Sequence, residues 1–195
     1  METKEIKGYA YGDPTLERSP ISMEDLKLLK KTLLWSDEDD HNLKLLADTL
    51  IDQIDDILDL WYGYVGSNDH LVYYFTTNGQ PNTDYLSAVR ERFGMWIKDL
   101  LTRPYDQTWL DYQYEIAKRH HSIKKNKTDD VQSVPIVNSR YMVAFIYPLT
   151  VTIKQFIQKK NPSEKDLNGM YDTWFKAVTL TAILWCYPYV NKNEF

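Results

Sequence analysis

Apolar residues recur along this chain with the period of an amphipathic helix. Leu43, Leu46, Leu50, Ile54, Ile57, Leu58 and Trp61 follow mainly at three- and four-residue steps, which predicts one long helix, or two in succession, ending near Gly63–Gly66. Tyr85, Val89, Phe93, Trp96, Ile97 and Leu100 form a second stripe. The polar positions punctuate these runs. Ser22, with Asp25 three residues on, has the spacing of a capping box and opens a helix to about Leu34. Ser36 opens the next, and Asp37-Glu38-Asp39-Asp40 places favourable negative charge at its N-terminus. A short aromatic segment spans Leu71–Phe75. After Pro104 a helix is expected from about Asp106 to His121, then a polar loop over Lys124–Val134. Two further helices follow. One runs over Ile136–Lys159 with a kink at Pro148, and one over Ser163–Tyr187, opened by Pro162, Ser163 and Asp166 and stopped by Pro188.

Residues 1–21 carry turn signals and read as an irregular extension. Glycine is scarce, Asn78-Gly79 is the one hairpin signal, and no strand pairing is expected. The pattern therefore predicts an all-α chain of about eight helices. It reads as a single domain over 1–195, with an N-terminal extension (1–21) and a helical core (22–190). Short helices separated by real loops suit a globin-like packing better than a four-helix bundle.

A net charge of −5 argues against nucleic acid as partner. The longest uncharged runs, Tyr141–Ile153 and Ala177–Val190, are shorter than the roughly 20 residues of a membrane span. Residues 1–22 contain no apolar stretch of a secretory leader. Cys186 is the single cysteine, which excludes an internal disulfide and a cysteine-based zinc site. These features lead to the expectation of a soluble, cytoplasmic protein without membrane contacts. Fifteen tyrosines and six tryptophans suit a pocket for a flat hydrophobic cofactor, and suit an aromatic-rich core equally well.

Two of the four histidines stand together, His120-His121, at a predicted helix end. Helical stacking sets His120 over Gln113, Ile116 and Ala117, and His121 over Tyr114, Ala117 and Lys118, which leaves the two nearly tied. After Lys118-Arg119 they also read simply as a cationic helix C-terminus. His41 and His70 lie in polar surroundings and are expected to be exposed. Trp61 and Tyr62 end a long apolar run. Neighbours on a helix point about 100° apart, so both cannot face one point. The Tyr62 hydroxyl can donate a hydrogen bond to a ligand, and Trp61 suits a wall or plain core packing. Val89 and Phe93 share one helix face, and Phe145 and Leu149 another. Each alone reads as core.

Several segments together are more specific. Asp59-Leu60-Trp61-Tyr62-Gly63, Tyr73-Tyr74-Phe75, Tyr105-Asp106-Gln107, Trp109 to Ile116, Arg119-His120-His121 and Val143 to Pro148 resemble the protoglobins, haem proteins related to globin-coupled sensors. The resemblance extends to Gly8-Tyr9-Ala10-Tyr11-Gly12 and Trp185-Cys186-Tyr187-Pro188-Tyr189. It implies an expanded globin fold with an extra N-terminal helix. It also implies a buried haem b reached through tunnels between helices, a homodimer, and binding of dioxygen, carbon monoxide and nitric oxide. It puts His120 at the position of the iron ligand, Trp61 and Tyr62 on the opposite, distal side, and Val89, Phe93, Phe145 and Leu149 in the apolar lining. His121 is left at the helix end. A ligating His120 should donate its second ring N–H, to the Ile116 carbonyl or the Gln113 side chain. Arg90, Arg92, Lys118 and Arg119 are candidates to neutralise a propionate. Two departures stand out: Asn68-Asp69 where the family tends to have His-Pro, and Ala117-Lys118 in place of a more apolar pair.

The expected function is reversible gas binding, as carrier, scavenger or sensor. Sensing would need a separate signalling or redox partner, because no output domain follows. An alternative is a haem enzyme acting on nitric oxide, peroxide or reactive nitrogen species, or an engineered carbene-transfer scaffold. The lack of a distal histidine–arginine pair weakens a peroxidase reading. A haem-free helical interaction module is the third possibility.

Overall fold

The polar punctuation of the sequence becomes a set of helix caps. The computed structural model describes residues 6–191 and 193–195, so the first five residues of the expected extension lie outside the described residues. Helix α1 (Met23–Thr32) opens on a capping box between Ser22 and Asp25. Helix α2 (Asp37–Leu50) opens with the Ser36 N–H donating to the Asp39 carboxylate at 2.7 Å. Helix α1 stops two residues before the expected Leu34. Leu34 takes φ +56°, and the N–H groups of Leu34 and Trp35 return to the carbonyls of Lys31 and Lys30. This is a Schellman closure with leucine where glycine is usual.

A 3-10 turn, Ile51–Gln53, separates α2 from α3 (Ile54–Gly66), so the apolar stripe from Leu43 to Trp61 is two helices. The buried Gln53 amide fills the break by donating to the carbonyls of Thr49 and Phe156. Helix α4 (Asp69–Val72) and a 3-10 turn, Tyr73–Phe75, follow.

Asn78-Gly79 does form a hairpin, which corrects the expectation of no strand pairing. Strands β1 (Thr76–Thr77) and β2 (Gln80–Pro81) pair antiparallel, Thr76 with Pro81 and Thr77 with Gln80. Asn78 and Gly79 both take positive φ, as a two-residue turn of mirror-image type requires.

Helix α5 (Thr83–Thr102) starts from Asn82 and α6 (Gln107–His120) from Asp106, each side chain accepting a first-turn N–H. The single kinked helix expected over Ile136–Lys159 is instead two, α7 (Ser139–Ala144) and α8 (Ile146–Gln158). Pro148 has no N–H to offer the Ala144 carbonyl, and the helix divides at Phe145. The start is later than expected because the Val137 N–H is spent on the His120 carbonyl at 2.9 Å. Helix α9 (Glu164–Cys186) opens from Ser163 and passes into a 3-10 turn at Tyr187–Tyr189, where Pro188 stands.

Helix α9 is central. It packs against α2, α6, α7 and α8, and residues such as Trp174, Ala177, Leu180 and Leu184 along it are fully buried. Helices α3 and α5 also pack together, and Gly94 lets them approach closely: a Cβ there would stand 3.1 Å from Leu58 and 3.3 Å from Ile54. The all-α, globin-like expectation holds, with the hairpin as a small addition.

A buried polar cluster ties α2 to α9. The Asp39 carboxylate, 3% exposed, accepts from the Thr173 hydroxyl at 2.9 Å and from the Lys176 ammonium at 3.0 and 3.1 Å. The segment before α1 is pinned as well. The Tyr9 hydroxyl donates to Asp99 at 2.8 Å, and Arg92 and Arg119 donate to the carbonyls of Lys7 and Gly8. Gly8 has φ +76°, and a Cβ there would meet the Thr128 methyl at 2.5 Å.

Three outcomes are expected. Burial raises the Asp39 carboxyl, but Lys176, the Ser36 N–H and Thr173 outweigh burial and hold it below the ordinary carboxylate range. Its stabilising contribution is therefore complete above the unfolded value near 4 and is lost as pH falls through the lower folded value. Asp39→Ala should cost roughly 2–4 kcal/mol at neutral pH, somewhat less than a fully buried pair because Lys176 also reaches Asp172. Asp39→Asn should flatten the acid limb of stability. Urea denaturation at pH 7 and pH 3 measures both. Gly8→Ala should cost about 1–3 kcal/mol and accelerate amide exchange over residues 6–12, read by mass spectrometry.

Candidate functional site

Four helices and the segments beside them enclose one apolar cavity. Helix α3 contributes Trp61, Tyr62 and Val65; α5 contributes Tyr85, Val89, Phe93 and Trp96; α6 contributes Tyr112, Ile116 and His120; and α9 contributes Val178, Thr181, Ala182 and Trp185. Within each helix the lining residues fall at one-, three- and four-residue steps, so one face of each helix supplies the wall. Phe145, at the break before α8, joins the lining with Ile146 and Leu149. The cavity holds about 210 Å³ open to the centre of a water molecule. One water needs roughly 10–15 Å³ on that measure, so the space is that of a ligand.

All seven residues singled out from the sequence, His120, Trp61, Tyr62, Val89, Phe93, Phe145 and Leu149, line this one cavity. Trp61 organises one wall. Its ring stands edge-on to Phe145 at 5.1 Å and to Phe93 at 5.9 Å, and Phe93 stacks on Trp96 at 5.3 Å. The Tyr62 hydroxyl has no hydrogen-bond partner among the described residues, and burial raises its pKa, so it stays protonated and free to donate. Tyr62 and Val65 also line an adjoining crevice with Leu86 and Arg90.

His120 is the last residue of α6. Its Nδ1 lies 2.9 Å from the Ile116 carbonyl oxygen. A carbonyl can only accept, so Nδ1 carries the proton and Nε2 keeps its lone pair. Of the two acceptors expected, the backbone carbonyl is the one used. The Gln113 side-chain oxygen instead accepts from the Trp185 indole at 3.0 Å. Trp185 in turn lies flat on the imidazole, 4.8 Å away and tilted 24°. Burial, with help from Lys125 and Arg119, lowers the His120 pKa to about 4 against the opposing bond to Ile116. The ring is therefore neutral at pH 7, the protonation state in which imidazole ligates a metal. His121 closes the helix as its C-terminal cap and meets Tyr189 edge-on. The near tie between the two histidines is thus divided by structure.

The cations proposed for an anionic ligand are already engaged. Arg92 makes a two-pronged pair with Asp129 at 2.9 and 2.6 Å. Arg119 pairs with Glu115 at 2.9 Å, Lys118 with Glu17 at 2.9 Å, and Arg90 with Asp59 at 2.6 Å. The sequence reading missed two lining residues of consequence, Trp185 and Lys125. Trp185 is 65 positions from His120 and announces only a helix face. Lys125 belongs to a stretch that reads as a solvated loop, yet it is only 4% exposed.

This donor set fits a metal carried inside a flat organic ligand. Among the described residues no group of three or more His, Cys, Asp or Glu converges on a point. One neutral imidazole stands instead among apolar rings, with basic residues at part of the lining. No described helix is long and apolar enough to cross a membrane. Among curated proteins, none matches this chain. A model of the protoglobin family matches residues 22–195. The helical, globin-like chain with this cavity belongs to the protoglobin family, whose members are haem-binding globins that take up gases.

Proposed function

We propose that the cavity holds haem b with His120 as the residue that would ligate its iron, and that the chain reversibly binds dioxygen, carbon monoxide and nitric oxide as a cytoplasmic carrier, scavenger or sensor. One observation carries the reading. A neutral imidazole with its proton committed to Ile116 presents a bare Nε2 inside an enclosed aromatic cavity. When bound, haem would supply an iron able to take up a diatomic gas, and His120 would hold that iron.

The chain's own residues set the surroundings. Trp185 and the Ile116 carbonyl fix the imidazole plane and tautomer, which keeps Nε2 the stronger donor. Trp61, Phe93 and Phe145 exclude water from the other part of the cavity. The free Tyr62 hydroxyl is a polar handle there, and it donates to a polar gas. The crevice shared by Tyr62 and Val65 between α3 and α5 is a route of entry. Val89 and Leu149 complete the lining.

A homodimer is part of the same reading. Val143, Tyr147 and Val151 recur every four residues along α7 and α8 with 59%, 73% and 44% exposure, and Phe175 on the neighbouring α9 is 46% exposed. Such a stripe on adjacent helices suits a symmetric contact between copies.

Purified protein supplied with haem should show a Soret band, and His120→Ala should lose it or shift it to that of a different axial ligand. A wild-type chain that stays colourless refutes the proposal. Tyr62→Phe should raise the dioxygen off-rate roughly tenfold, the worth of one good hydrogen bond, and change carbon monoxide release far less. Equal effects on both gases in stopped-flow measurements remove the donor role. Tyr147→Glu should convert dimer to monomer in sedimentation without altering the Soret band.

A further inference from the structure

We propose that the Lys125 ammonium is the protein's counter-ion for a carboxylate of the cavity's ligand, one propionate of the tetrapyrrole. This rests on the haem reading above and names a contact within it.

The charges around the cavity support the assignment. Three side chains that carry a full positive charge line it: Arg92, Arg119 and Lys125. The two arginines are held by Asp129 and Glu115. Among the described residues Lys125 has no carboxylate within ion-pair distance. Its Nζ donates to the Tyr74 carbonyl at 2.9 Å, with long contacts to Asn126 Oδ1 at 3.4 Å and the Tyr85 hydroxyl at 3.5 Å. All three acceptors are neutral, and the last two are at the limit of hydrogen bonding. The Tyr74 carbonyl does not need this donor, since the Ser133 hydroxyl reaches it at 3.0 Å.

A buried ammonium facing only neutral groups is a standing penalty on the fold. Burial lowers its pKa to about 8, with Asp129 opposing from a distance, so at pH 7 the charge is still present. The residue sits in a wall whose other two cations, Arg92 and Arg119, each reach a carboxylate. A carboxylate entering the cavity with its ligand would complete the pairing.

The test compares haem with haem dimethyl ester, in which both carboxylates are masked. Each porphyrin is loaded into wild-type protein, Lys125→Met and Lys125→Arg, and its loss to a haem scavenger is timed. Wild type should release the diester at least tenfold faster than haem. Lys125→Met should release both at similar fast rates, and Lys125→Arg should restore most of the discrimination. Melting of the ligand-free Lys125→Met protein should be unchanged or higher than wild type, because a charge without a partner has been removed. Unchanged discrimination in Lys125→Met overturns the proposal, as does faster loss of both porphyrins by the same factor with a lowered melting temperature. Lys125→Gln, read in the same way, serves if the methionine variant does not fold. A wild-type chain that takes up neither porphyrin fails the haem reading instead.

Discussion

The hydrogen bond from His120 Nδ1 to the Ile116 carbonyl is the constraint on which the site depends. It joins a side chain at the end of α6 to the carbonyl one turn back, whose second lone pair accepts the imidazole N–H alongside the helix's own bond. The bond decides the tautomer, and the tautomer decides which nitrogen faces the cavity without a proton. A helix C-terminus favours a cation, which alone would keep the imidazole charged. Desolvation by the surrounding rings wins, and the ring is neutral. A solvated His-His at the same helix end would have the opposite outcome, so burial converts a common cationic cap into a neutral imidazole with a free lone pair.

The rest of the fold keeps that burial intact. Trp185 reaches His120 from α9, the helix packed against α2, α6, α7 and α8, so the orientation of the imidazole is tied to the centre of the molecule. The indole is itself held by Gln113, about two turns before His120 on α6. The opposite wall depends on the close approach of α3 and α5 at Gly94, which brings Trp61 against Phe93. An apolar space of this size forfeits dispersion contacts and weakens the empty fold. A ligand that fills it stabilises the folded chain by mass action, so folding and cofactor loading are coupled by the same rings.

How far all this was legible in the sequence follows the range of the interactions. Caps at Ser22, Ser36, Asp106 and Ser163 are local hydrogen bonds between residues three apart, and they are visible as spacing. The division of the helix at Phe145 is also local, since Pro148 removes a donor four residues on. The hairpin was signalled by Asn78-Gly79, but its strands are two residues each, too short for alternation to register. Trp61, Phe93 and Phe145 look like core residues singly, and only their order along the chain resembled a known family. Trp185 stood in a segment resembling the family, but neither its place on His120 nor that of Lys125 in the cavity wall was legible, because both roles are tertiary. A lysine among Lys124, Asn126 and Lys127 is read as solvated, and nothing in that local pattern shows that Tyr74, 51 residues earlier, covers it.

The arginines at the rim show why charge alone does not identify a ligand contact. Arg92 and Arg119 line the cavity, and their most immediate task is structural. Each binds a buried carboxylate and a carbonyl of the N-terminal segment, so the two ion pairs close the cavity beneath Lys7 and Gly8. Removing Asp129 or Glu115 would leave a buried guanidinium unmatched, a penalty of several kcal/mol. That makes these pairs poor candidates to break and re-form with each ligand. A wall built this way commits both guanidinium groups to the fold itself. It leaves ligand recognition to groups the fold does not satisfy: the Nε2 lone pair of His120, the Tyr62 hydroxyl and the ammonium of Lys125. These three are chemically distinct, a soft donor for metal, a neutral hydrogen-bond donor and a cation. On the haem reading proposed above, each would match a different part of one amphipathic ligand and the gas it carries.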